Sequence, residues 1–132
     1  FLASHGISAR EDLERYQSPQ YRAAASTVRW KSKEDVLIRY VLSVLYYALN
    51  GEAWPIPFLS DRPVCEWSTT INQTVFGVTS CRLQNSTKGA LPTGIALDFK
   101  GLSGTLPSEI RHLTTLEYIQ IDNNLALGGS FP

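Results

Sequence analysis

Chemistry in this chain would have to be assembled from two histidines, His5 and His112, two cysteines, Cys65 and Cys81, scattered serines and twelve carboxylates. Each histidine lacks a companion at metal-ligand spacing, and the cysteines lack the C-x-x-C pairing of a zinc or redox centre. No serine sits in a G-x-S-x-G elbow, and no glycine loop is arranged to cradle phosphate. Glu11, Asp12 and Glu14, and again Glu34 and Asp35, fall where helices are expected to begin. There they meet the positive end of the helix dipole, which needs no catalytic explanation. The pattern therefore predicts no enzyme activity, no catalytic residue, no metal site and no cofactor.

Modification is a different matter. Asn72-Gln-Thr and Asn85-Ser-Thr are N-glycosylation acceptor triplets on either side of Cys81. Either triplet alone arises by chance in many proteins, but the two together with an even cysteine count favour a secretory-pathway chain. Twelve basic residues balance twelve acidic ones, so no electrostatic footprint for nucleic acid exists. The longest apolar run, near Val41–Leu49, is too short to span a bilayer. No signal-peptide pattern opens the chain, and Phe1 is read as a processed or truncated end.

The elements that must position these groups are helical first. Residues 1–17 form a lead arm, in which Ser8-Ala-Arg-Glu11 has the form of a capping box and the arm rests on the rest of the chain or on a partner. Ser18-Pro19 combines a good N-cap with a proline suited to the first helical position, and predicts a helix over 19–29. A second helix opens at Ser32-Lys-Glu-Asp35. Its apolar residues Val36, Leu37, Tyr40, Val41, Val44, Leu45 and Ala48 recur at helical spacing, and Asn50-Gly51 supplies a left-handed stop. Tyr46, Tyr47 and Trp54 suggest a lipid interface, but the polar face lacks the basic residues such a helix carries, so core packing is expected and no membrane contact. Pro55, Pro57 and Pro63 make the stretch from Gly51 to Gly94 loop-rich.

The strictest pattern comes last. Leu113, Leu116, Ile119 and Ile121 are followed by Asn124, Leu127, Gly129, Phe131 and Pro132, and Leu102-Ser-Gly104-Thr-Leu106-Pro107 repeats the ending one unit earlier, its proline 25 positions from the next. Ile119 and Ile121 alternate with Tyr118, Gln120 and Asp122, which predicts a short strand with one face towards a core. This spacing resembles the plant-type leucine-rich repeat of receptor-like kinases, polygalacturonase inhibitors and similar algal proteins. Trp54, then Cys65-Glu-Trp67, then Gly77-Val78 and Cys81 resemble the N-terminal cap of that family. The resemblance implies a Cys65–Cys81 disulfide, core roles for Trp54 and Trp67, and a loop closure contributing about 3 kcal/mol. Lys100 stands where the family has asparagine, the second unit carries an extra residue before Leu127, and the insert between the cysteines is longer than usual.

The fold expected from these readings is α+β: the start of a leucine-rich repeat solenoid with a helical N-terminal cap and short parallel strands. Its parts would be the lead arm at 1–17, a disulfide-linked cap at 18–93 and two repeats at 94–132. The implied function is non-catalytic recognition of a protein or glycan on the concave strand face, through Asp98, Tyr118, Gln120 and Asp122, with Tyr118 as the anchor. Each of these also reads as an ordinary solvated strand residue. Two other readings stand beside it, a building block of a large assembly and an inhibitor of a secreted enzyme. The setting implied is secreted or extracellular, including the ectodomain of a membrane protein. Further repeats or another subunit would cover the C-terminal edge.

Overall fold

A computed structural model describes residues 6–27, 33–54, 58, 63–83, 90–97, 103–121 and 126–128. Three helices precede the strands: α1 (Arg10–Glu14), α2 (Pro19–Thr27) and α3 (Lys33–Ala48). The start of α2 follows its sequence signal, since Ser18 Oγ accepts the Tyr21 N–H at 2.9 Å. The start of α1 does not. Ala9 is its N-cap with no side-chain bond, and the Ser8 hydroxyl instead donates to Glu109 Oε2 at 2.6 Å and shares a 2.7 Å bond with Tyr40 Oη. Ser8 is buried, and an enclosed hydroxyl that meets a carboxylate and a phenol gains more there than at a frayed helix end.

The third helix is the centre of the molecule. Tyr40, Val41, Leu42, Val44 and Leu45 are fully buried, and Arg39 and Ser43 nearly so, which encloses the middle of α3 on all sides rather than along one apolar stripe. It packs on α2, where Ala23 allows a close approach, and on a 3₁₀ turn at Ser108–His112. Asn50, at φ 59°, ends it in the left-handed conformation that the Asn-Gly pair predicts.

Strands β1 (Ser68–Ile71), β2 (Thr74–Leu83), β3 (Ala90–Ala96), β4 (Ser103–Thr105), β5 (Tyr118–Gln120) and β6 (Ala126–Gly128) form two sheets, in the orders β1-β2-β3-β5 and β4-β6. β1 and β2 make an antiparallel hairpin, and β2 also runs antiparallel to β3. Gly77, at φ 98°, holds the hairpin to the preceding turn. A Cβ there would lie 2.3 Å from the Trp67 carbonyl oxygen, which accepts the neighbouring Val78 N–H at 2.8 Å. The same region carries a Cys65–Cys81 disulfide, with Cα atoms 6.2 Å apart. Trp54 and Trp67 are buried core aromatics, linked through Phe58 by edge-to-face contacts at 5.4 and 5.3 Å.

The expected solenoid start is not what forms. Among the described residues the architecture is a small mixed sheet of four strands with three helices, and parallel pairing is confined to three residues each of β3 with β5 and β4 with β6. The physical reason lies in the neighbours of β3. Its other edge is taken by the long antiparallel β2, and two short parallel pairs do not make the run of stacked units on which a repeat architecture depends. Register differs from the 25-residue proline spacing as well: Gly94 pairs with Tyr118 instead of Ile119, and Gly104 with Leu127 instead of Gly129. Only the two-residue shift, between β4 and β6, keeps the same face of the strand. One hydrophobic core draws on all three expected ranges, from Ile7 through α3 to Ile95, Ile110 and Leu113. Asn124, Gly129, Phe131 and Pro132 lie outside the described residues.

Candidate recognition face

Strand β5 alternates as its sequence predicts: Tyr118 and Gln120 are exposed and Ile119 is half-buried beside the buried Ile95 of β3. Tyr118, 43 % exposed, does not stand free. Its ring lies over Gly94, where a Cβ would come within 2.2 Å of the ring carbon that bears the hydroxyl. Its hydroxyl shares hydrogen bonds with Thr79 Oγ1 at 2.6 Å and Ser80 Oγ at 3.4 Å, and Ser80 is tied to Thr93 Oγ1 at 2.9 Å. These bonds from Ser80 and Thr79 hold the phenol below its ordinary pKa. Tyr118 therefore presents an aromatic face in a fixed orientation, with its hydroxyl already engaged.

Charged groups border this ring. Arg82 and Glu117 form an exposed ion pair at 2.7 Å across the sheet, and Glu117 leads into β5 through its N–H bond to the Thr93 carbonyl at 2.7 Å. On the other side an open groove of about 460 Å³ is lined by Ile110, Leu113, Leu116 and Ile119, with Arg111, Glu117 and Tyr118. Among the described residues β5 is the edge of its sheet on this side.

The predicted site residues are distributed as follows. Tyr118 and Gln120 share the outward face of β5, whereas Asp98 and Asp122 lie outside the described residues. Asn72 is exposed at the β1–β2 turn, and Asn85 and His5 are outside the described residues. His112 is half-buried, and its Nε2 has no hydrogen-bond partner among the described residues. No cluster of three metal-ligating side chains occurs among the described residues. Thr79, Ser80, Arg82 and Glu117 could not be found by sequence spacing, because β2 and β5 meet them across β3. A second unforeseen constellation is buried: Glu109 accepts from Ser8 and, at 3.1 Å, from Gln20 Nε2, beside Tyr40.

Compared with protein-family models, with curated proteins and with solved structures, the chain matches none. The disulfide is compatible with a secreted protein, as is the absence, among the described residues, of a helix long and apolar enough to cross a membrane.

Proposed function

We propose that this chain is a non-catalytic recognition module of an extracellular or luminal protein, taking a protein or glycan on the outward face of β5. The observation that carries this reading is the seating of Tyr118: a ring held against Gly94 by two hydroxyls, open on its other side, next to Gln120 and the Arg82–Glu117 pair. A rigid aromatic with few rotatable bonds supplies contact area at low entropic cost, and the polar groups around it supply direction. The relation to leucine-rich repeat proteins enters only through the spacing of Leu113–Pro132 and the cap residues, without the solenoid architecture. Inhibition of a secreted enzyme would use the same face.

A second reading, a building block of an assembly, is favoured by a different surface. Tyr16, 72 % exposed, and Tyr21, 37 % exposed, meet edge to face at 5.4 Å on the helical side. Paired exposed aromatics of this kind suit a permanent protein contact. The test is cross-linking of the protein to its native partners followed by peptide mapping, with glycan and peptide arrays probed by wild type and Tyr118→Ala. Contacts at Tyr118 and Gln120, lost in Tyr118→Ala, are expected. Contacts confined to Tyr16 and Tyr21, with array binding unchanged by the substitution, would overturn the recognition reading in favour of assembly.

A further inference from the structure

Asn72 stands in a part of the molecule that the recognition face does not use. Among the described residues β3 pairs with β2 from Gly77 onwards, while Thr74 and Val75, nearer the turn, pair with Ile71 and Thr70 of β1. The connection of this hairpin is two residues long. Asn72 at φ 49° and Gln73 at φ 68° are both left-handed, the turn whose twist matches that of the flanking strands. Residues 71–75 are all exposed, and Ile71 and Val75, each 40 % exposed, put apolar surface on either side of the turn. Among the described residues β1 is also the outer strand of its sheet, and an outer strand offers backbone groups that invite pairing with another chain.

The triplet Asn72-Gln73-Thr74 therefore presents its acceptor amide at an exposed two-residue turn, on a chain whose disulfide is compatible with an oxidising compartment. We propose that Asn72 carries an N-linked glycan and that this glycan covers the apolar hairpin tip and shields the free edge of β1. In the transfer, Asn72 Nδ2 attacks the anomeric carbon of an oligosaccharide carried on a lipid pyrophosphate. The new N–C bond forms as the C–O bond to pyrophosphate breaks, the lipid pyrophosphate leaves with the electron pair, and the amide gives up one proton. The modification leaves the Tyr118 face clear. Ser80, which stands beside Tyr118, is six residues along β2 from Thr74, about 20 Å at the rise of an extended strand. The proposal thus stands on observations separate from those behind the recognition reading.

The test expresses the chain in a eukaryotic secretory cell in an Asn85→Gln background, which isolates the first triplet, and maps the Asn72 peptide before and after enzymatic removal of N-glycans. One glycan at Asn72 is expected, retained in Thr74→Ser and lost in Thr74→Ala. Both the secreted and the cell-retained pools are mapped, so a variant that fails to leave the cell is still read. An unmodified Asn72 in both pools would overturn the proposal. Sedimentation then reads the shielding: the deglycosylated protein is expected to self-associate, and Ile71→Thr with Val75→Thr to suppress that association. A deglycosylated protein that stays monomeric would overturn the shielding role.

Discussion

Tyr118 and Tyr40 show how one residue type serves two ends according to its surroundings. Tyr118 is held below its ordinary pKa by hydroxyl donors at the surface, while Tyr40 is pushed up to about 12, first by burial and further by the Glu109 charge, against the bond from Ser8. Because the folded pKa of Tyr40 exceeds the ordinary value of 10.0, the folded state keeps a proton that the unfolded state loses. Its contribution is complete below pH 10 and is lost as pH rises towards about 12. Denaturant titrations should show stability falling through that window, and a shallower fall in Tyr40→Phe. Gly94→Ala tests the seat of Tyr118 itself. The added methyl meets the far end of an exposed side chain, so the ring is expected to swing off. The protein should then stay folded while the phenol returns to its ordinary pKa, measured by phenolate absorbance, and ligand capture on the arrays is lost.

At the scale of elements, the hairpin and the buried helix carry different kinds of risk. Gly77→Ala would place a side chain at φ 98° and against the Trp67 carbonyl, so a loss of at least about 1–3 kcal/mol is expected in chemical denaturation. Leu45→Ala in α3 removes side-chain volume from a fully enclosed position and should cost about 2–5 kcal/mol by the same measurement. Much of this was legible beforehand. The Ser18-Pro19 signal and the Asn50-Gly51 stop act within one or two turns of chain, so local chemistry decides them. Ser8 was misread for the complementary reason: its partners Tyr40 and Glu109 are 32 and 101 residues away, and a capping box can be recognised only when nothing distant competes.

For the molecule as a whole, the cross-link between Cys65 and Cys81 ties the turn after the helices to the C-terminal part of β2. Closing a loop of 16 residues restricts the unfolded chain by about 3 kcal/mol, so reduction should lower the melting temperature, as read by calorimetry with and without reductant. The sequence by itself determined the alternation of β5, the two main helices with the start of the first and the stop of the second, and the acceptor triplets, because each depends on neighbours within a few positions. Tertiary structure alone decided that β2 would occupy the edge of β3 and give a mixed sheet. It also set Tyr118 on Gly94 under Thr79 and Ser80, and turned Ser8 inward to Glu109. Those outcomes depend on which strands meet and on which polar groups are enclosed together, and a one-dimensional spacing carries no information about either.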